Sequence, residues 1–316
     1  MRKLNVAVVG CGSWGRNHAR VYNDLQDASL LAVRDMDGGI AREVGERYRV
    51  DWYTDPEKIF NRPDIEAISI CTPTMTHADI ALKAIKAGKH VLVEKPMTNT
   101  IDEAKSLIKA AEAHGVHLAV GFVERFNPAV REAMKIISRG EIGDVILAHA
   151  RRVSRRPPRV GDVGVIKDLA IHDIDIVTQL FNAEAEEVFA TAGSIAHRFE
   201  DYANIIIRFR DDRNAFIEAN WLTPRKVRRL IITGTEGLVN VEYIAQEITV
   251  ENNTRLYQPF IEKKEPLMLE LEQFVESILK DEPPEPSGLD GLWALKICRA
   301  ALQSAETGRP VKIIGD

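Results

Sequence analysis

The chain has 316 residues, long for a single hydrophobic core, so two domains are expected. With 45% hydrophobic and 28% charged residues it has the makeup of a soluble globular protein, and its net charge of −5 gives no global attraction to nucleic acid or an anionic membrane. Cys11, Cys71 and Cys298 lie far apart without CxxC spacing, which argues against a disulfide framework or zinc site and fits a reducing cytoplasm. No segment approaches the roughly 18 apolar residues of a membrane span. The apolar run after Met1-Arg2-Lys3 is too short for a signal-peptide core and flows straight into a glycine loop. No metal site is suggested.

In chain order, the apolar runs Leu4–Val9, Leu30–Val33, Ala67–Ile70, His90–Val93 and Leu118–Val120 read as buried strands. Between them, Arg16–Leu25, Ile40–Tyr48, His77–Ala87 and Ile101–Ala113 read as helices, and the alternation implies βαβ units with a parallel sheet. Beyond residue 121 the character changes. Asn127–Arg139 and Asp168–Phe181 are helical patterns, while residues 185–260 run with period two, as in Ala203, Ile205, Ile207 and Phe209 or Ala215, Ile217, Ala219 and Trp221. Consecutive short-turn strands imply an open antiparallel sheet, polar on one side, which needs a cover from its own helices or from a second subunit. Pro266–Lys280 and Leu289–Thr307 close the chain as helices. The expected division is a dinucleotide-binding domain at 1–121 and a substrate and oligomerisation domain at 122–316, with the last helix, 289–307, a candidate to pack back on the first domain.

Gly10-Cys11-Gly12-Ser13-Trp14-Gly15 follows the first strand and opens the first helix. The glycines permit a tight turn, a close approach to a diphosphate, and helix–strand packing, with the diphosphate on the helix N-terminus. Asp35 follows Gly15 by 20 residues, where its carboxylate can accept from ribose hydroxyls and repel a 2′-phosphate. That favours NAD; the neighbouring Arg34 keeps NADP open. Cys71-Thr72-Pro73-Thr74 ends another strand, and Thr72, Pro73 and His77 are candidates to contact the nicotinamide half, or to form only a βα loop with its N-cap.

Lys95, in Glu94-Lys95-Pro96, sits at a strand's carboxyl end, where open α/β sheets place ligands; the alternative is a surface lysine neutralised by Glu94. Asp168 and His172 are four apart and share a helical face, the arrangement of an imidazole oriented by a carboxylate, or of an N-cap and a solvated histidine. Arg151, Arg152, Arg155, Arg156 and Arg159 are five arginines in nine residues, read as a solvated loop or an anion-binding segment.

Together these residues resemble the glucose–fructose oxidoreductase/inositol dehydrogenase (Gfo/Idh/MocA) family nearly end to end. The resemblance rests on the glycine loop, Asp35, Thr72-Pro73-Thr74 with His77, Glu94-Lys95-Pro96, and Asp168-Leu169-Ala170-Ile171-His172-Asp173. It implies a Rossmann domain plus an α/β domain whose open sheet commonly packs against another subunit, as in a homodimer or homotetramer. It further implies NAD-dependent oxidation of a sugar or polyol hydroxyl, with Lys95, Asp168 and His172 as the catalytic group. The cofactor would meet Gly10, Gly12, Ser13, Trp14, Gly15, Asp35, Thr72, Pro73, His77, Glu94 and Lys95. Gly121-Phe122-Val123-Glu124-Arg125-Phe126-Asn127-Pro128-Ala129 looks like the branch acting on UDP-N-acetylhexosamines at C3, with Lys95, Arg125, Asn127, Arg155, Arg156 and His172 toward the substrate. A free-sugar or inositol dehydrogenase is the alternative, and a non-catalytic NAD-binding sensor is the alternative of another class.

Overall fold

Six parallel strands form the first sheet, in the order β3-β2-β1-β4-β5-β6. The computed structural model describes residues 2–156, 161–210 and 212–313. The elements of this region are β1 (Leu4–Val9), α1 (Ser13–Asp24), β2 (Ala28–Arg34), α2 (Gly38–Tyr48), β3 (Asp51–Tyr53), α3 (Glu57–Phe60), β4 (Ala67–Ile70), α4 (His77–Lys86), β5 (His90–Glu94), α5 (Ile101–His114) and β6 (Leu118–Gly121). The inner strands β1, β4 and β5 are mostly apolar, with Asn5, Ser69, His90 and Glu94 the polar exceptions, as strands of a parallel sheet covered by helices are. β3 and α3 were not legible in the sequence: β3 is a three-residue edge strand and α3 a single turn. The strand order reverses between β1 and β4, which places a crevice beyond their carboxyl ends.

The following region contains α6 (Pro128–Ser138), β7 (Val145–Arg155), a π-helical turn at Ile166–Ala170, α7 (Ile171–Phe181), β8 (Ala185–Gly193), β9 (Tyr202–Phe209), β10 (Asn214–Asn220), β11 (Leu222–Gly234), β12 (Gly237–Glu242), β13 (Glu247–Asn252) and β14 (Leu256–Tyr257). The chain ends with α8 (Pro266–Lys280), α9 (Gly288–Thr307) and β15 (Val311–Lys312). Nine strands form the second sheet, β14-β13-β12-β11-β7-β10-β9-β8-β15, in which β7 and β10 are the parallel pair. One face is buried: Ala190, Ile205, Ile217, Ala150, Leu230 and Val241 point inward, with α7 packed on β7 and β10 and α6 on β12 and β13. On the opposite face the register aligns Phe189, Ile206, Phe216, His149 and Ile231 in one row across five strands, and Ile206 is 44% exposed.

The chain divides into two compact units, residues up to Val123 with Leu267–Leu292, and Glu124–Pro266 with the chain from Trp293 onward. α8 and the first turn of α9 belong to the first unit, and the rest of α9 to the second. Leu267, Leu271, Phe274 and Val275 recur at helical spacing and enter the same core as Leu4, Val6, Val21 and Tyr22.

Candidate active site

The dinucleotide half is built at the carboxyl edge of the first sheet. Gly10 has φ +93°, and a Cβ there would lie 2.7 Å from the carbonyl carbon of Cys71 and 2.8 Å from Thr72 Cγ2. A Cβ at Gly15 would collide with the Gly10 carbonyl oxygen. Gly12 differs, because a Cβ there meets nothing within 4 Å. The protein's own packing therefore does not demand glycine at 12; a ligand lying against that backbone would. Gly12 is the N-cap of α1 and offers no side-chain cap, and the first intrahelical bond is Arg16 N to Gly12 O at 3.1 Å. The N–H groups of Ser13 and its neighbours thus form an anion cradle at the helix's positive end.

Asp35 follows β2. Its Oδ2 accepts the Cys11 N–H at 2.7 Å and its Oδ1 the Asp37 N–H at 3.0 Å, which leaves further lone pairs for hydroxyl donors. Arg34, the residue that kept NADP open, donates Nε to the Thr54 carbonyl at 2.9 Å. Burial, followed by the Asp35 charge, pushes the Cys11 thiol up to about 12, so it is a packing residue rather than a nucleophile.

The lysine loop leaves β5. Lys95 is half-buried and its bond to Pro96 is cis. Glu94 is buried, and its Oε1 accepts from Trp14 Nε1 at 2.6 Å and lies 3.1 Å from His18 Nε2. His77 is buried as well, with Nδ1 2.9 Å from Pro96 O and Nε2 2.8 Å from Thr72 O. The structure thus gives Trp14, Glu94 and His77, expected as cofactor contacts, hydrogen bonds among the loops themselves. Thr72 and Pro73 stay at the surface of the β4–α4 loop, and Thr72 Oγ1 accepts from Thr76 Oγ1 at 2.8 Å.

The second unit carries the Asp168–His172 segment. Asp168 lies inside the π-helical turn, with N-cap Val165, so it is not the N-cap that the sequence left open. Its N–H bonds to Gly164 O at 3.0 Å, and its side chain is buried. His172 is half-buried in the first turn of α7. The turn changes the helical register between the two residues, a feature frequent at functional sites that residue spacing does not reveal.

Behind this segment lies a buried ionic network. Arg152 Nε and Nη2 grip Asp173 Oδ2 and Oδ1 at 2.7 and 2.9 Å, and its Nη1 reaches Glu124 Oε1 at 2.7 Å. Arg228 Nη1 joins Glu124 Oε1 at 2.8 Å, and Tyr243 OH donates to Asp173 Oδ1 at 3.2 Å. Burial works against the Glu124 carboxylate, but the Arg152 and Arg228 guanidiniums outweigh it and hold its pKa below the usual range. Burial followed by repulsion from Arg152 lowers the Arg228 pKa, opposed by Glu124, Asp173 and Asp168, which places Asp168 in the field of this network.

Two residues expected at the substrate serve this framework. Arg125 forms a bidentate pair with Asp175, at 2.7 and 2.5 Å. Asn127 caps α6 through the Ala129 N–H at 3.1 Å and donates to Glu124 Oε2 at 3.2 Å and Tyr243 O at 3.0 Å. The arginine run is a strand as far as Arg155, not a loop: Arg151 pairs with Glu218 at 2.8 Å, Arg152 is buried, and Arg155 and Arg156 are exposed. Arg159 lies outside the described residues.

Residues 4–122 match the model for an oxidoreductase family with an NAD-binding Rossmann fold, and residues 130–240 match the GFO/IDH/MocA C-terminal domain. The chain belongs to the Gfo/Idh/MocA oxidoreductase family. The scyllo-inositol 2-dehydrogenase (NAD(+)) of Bacillus subtilis is 30% identical, over 98% of this chain and 96% of its own. The UDP-N-acetylglucosamine 3-dehydrogenase of Acidithiobacillus ferrooxidans is 28% identical over 96% of both chains. A solved structure of that enzyme superposes with TM-score 0.90 at 27% identity, covering 97% of this chain and 99% of the other.

As a Gfo/Idh/MocA member the chain is an NAD(P)-dependent oxidoreductase acting on CH–OH groups, and its first unit is the NAD-binding domain. The open space at Gly12, the cradle of α1 and the Asp35 carboxylate suit that cofactor. Among the described residues, no helix is long and apolar enough to cross a membrane, and no cluster of three or more His, Cys, Asp or Glu side chains could hold a metal. Residue types and spacing did not single out His18, Arg228 or Tyr243, and they named Arg152 and Asp173 only as members of a run and a motif, not as partners. For His18 the only signal is the run Trp14, His18, Tyr22 on one face of α1; the others meet only through tertiary structure.

Proposed function

We propose that this chain oxidises a secondary hydroxyl of a sugar to the ketone, at C3 of a UDP-N-acetylhexosamine, with NAD as acceptor. When bound, the nicotinamide takes the hydride. The catalytic residues, as the family's motifs assign them, are Lys95, Asp168 and His172. A His172 ring nitrogen takes the hydroxyl proton, for which an unperturbed imidazole is suited near neutrality. Lys95 Nζ holds the reacting oxygen and offsets its developing negative charge. Asp168 orients the imidazole. Asp35, with both oxygens fixed at the end of β2, favours NAD over NADP by its charge.

The observation that carries the nucleotide-sugar reading is the basic end of β7 and β11. Arg155 and Arg156 are exposed there, and Leu222 pairs with Arg155 just before an irregularity that exposes Arg225 and Lys226. Guanidinium forks match a diphosphate, a charge that a free polyol lacks. The similarity to inositol dehydrogenases keeps a second reading, oxidation of a free polyol. NADH formation with UDP-GlcNAc, set against myo-inositol and glucose, separates the two; activity confined to the free polyols overturns the first. The row Phe189, Ile206, Phe216, His149 and Ile231 supports a homodimer or homotetramer through this sheet face. Sedimentation as a monomer would contradict that assembly. A cytoplasmic location suits the three free thiols.

A further inference from the structure

Lys95 is gripped on both flanks by buried side chains of its own unit. On one side Glu94, 7% exposed, receives three donors: Trp14 Nε1 at 2.6 Å, His18 Nε2 at 3.1 Å and the Lys95 main-chain N–H at 3.3 Å. The carboxylate takes the space of a missing side chain on β6: Gly121 is the register partner of Glu94, and a Cβ there would lie 2.6 Å from Oε1. His18 is fully buried, and its Nδ1 has no partner. The neutral ring with its proton on Nε2 therefore fits best, because it donates to Glu94 and leaves only a lone pair unsatisfied. On the other side His77, 1% exposed, spans the Pro96 and Thr72 carbonyl oxygens. A carbonyl oxygen only accepts, so the ring donates to at least one of the two.

We propose that Trp14, His18 and His77 are positioning residues for Lys95, acting through Glu94 and the Pro96 carbonyl. Trp14 comes from the glycine loop, His18 from α1 and His77 from the start of α4, so these bonds tie the diphosphate cradle, the Thr72-Pro73 loop and the lysine loop into one piece. Hydrogen bonds to a buried carboxylate are stronger than neutral ones, and a carboxylate meeting three donors has one well-defined place. Alignment of the ammonium is then set before the substrate arrives. This inference rests on the catalytic reading of Lys95. It shifts Trp14, Glu94 and His77 from contacting the cofactor to aligning the lysine.

The test compares Trp14→Phe, His18→Leu and His18→Gln with the wild-type chain. The glutamine amide nitrogen reaches about as far as the imidazole Nε2 and keeps a donor toward Glu94. In cofactor-free protein, Trp14→Phe and His18→Leu should speed hydrogen exchange of the Lys95 amide, which bonds to Glu94, while His18→Gln should not. With substrate and NAD saturating, the first two should lose on the order of tenfold in kcat. His18→Gln should stay near wild type, and the NAD dissociation constant by calorimetry should hold within about twofold in all three.

A weakened NAD affinity at unchanged kcat would overturn the proposal in favour of direct cofactor contact. His18→Gln falling as far as His18→Leu would overturn it in favour of packing. If Trp14→Phe does not fold, the two His18 variants decide. Lys95→Met separates the two levels. Turnover retained in Lys95→Met defeats the catalytic reading and this inference with it. An inactive Lys95→Met beside fully active Trp14→Phe and His18→Leu defeats the positioning alone.

Discussion

Arg152→Met is the substitution whose cost the structure specifies most fully. Arg152 is 1% exposed and holds two carboxylates, Asp173 at 1% and Glu124 at 5% exposure. Methionine fills much of the volume but supplies no charge. Glu124 keeps Arg228 at 2.8 Å and Asn127 at 3.2 Å, whereas Asp173 loses its bidentate partner and retains the Tyr243 hydroxyl at 3.2 Å. Removing one partner of a buried pair costs about 3–5 kcal/mol, since the remaining charge stays desolvated. For a unit of this size that corresponds to roughly a 10 °C fall in the unfolding midpoint. Asp173→Asn in the Arg152→Met background should recover part of the loss, because the stranded charge is gone.

The same network fixes a pH dependence. The folded Glu124 carboxyl titrates below its unfolded value, so its stabilisation is present above the unfolded pKa and is lost as pH falls through the folded one. Arg152→Met should therefore flatten the loss of stability below about pH 4, the unperturbed range of a glutamate. Urea unfolding followed by circular dichroism across pH measures both effects. A variant with wild-type midpoint and wild-type acid dependence would refute the reasoning.

Further outcomes follow from individual environments. Gly12→Ala should keep the wild-type unfolding midpoint, since its Cβ meets no protein atom, yet weaken NAD binding measured by calorimetry; Gly15→Ala should fail to fold, because its Cβ collides with the Gly10 carbonyl. Burial, then the neighbouring His117, lowers the His90 pKa to about 4, so the folded state prefers the neutral ring. Stability from that ring is present above the unfolded pKa and is lost as pH falls from about 6.5 toward 4. His90→Phe should flatten the thermal-midpoint profile in that window. Cys11 and Cys71, whose thiols burial holds well above their ordinary pKa, should resist alkylation in the native protein at pH 8 and react after denaturation; rapid native labelling would contradict the packing.

Much of the first unit was legible because its signals are local. The glycine loop follows its strand directly, and Asp35 and Lys95 are fixed by where β2 and β5 end. The second unit hid more. β7 was read at its end as an arginine loop because charge falls on both faces of the strand. Arg151 pairs with Glu218 on the neighbouring strand β10, and Arg152 turns inward only because Glu124 and Asp173, distant in sequence, meet it. Arg125 and Asn127 stand in a motif that suggested substrate; that they also bond Asp175 and the Tyr243 carbonyl, distant in sequence, could not be read from it. The return of α8 to the first core was equally illegible. Its apolar stripe specifies that it must be buried, not against which unit.

The most direct measurement is the initial rate of NADH formation with UDP-GlcNAc, by the wild-type chain and by Lys95→Met, each saturated with NAD and with cofactor binding verified by calorimetry. Lys95 as the cation on the reacting oxygen requires turnover by the wild type and its loss in the variant, with NAD affinity retained. Equal rates in the two proteins would contradict the assignment of Lys95 to the chemistry.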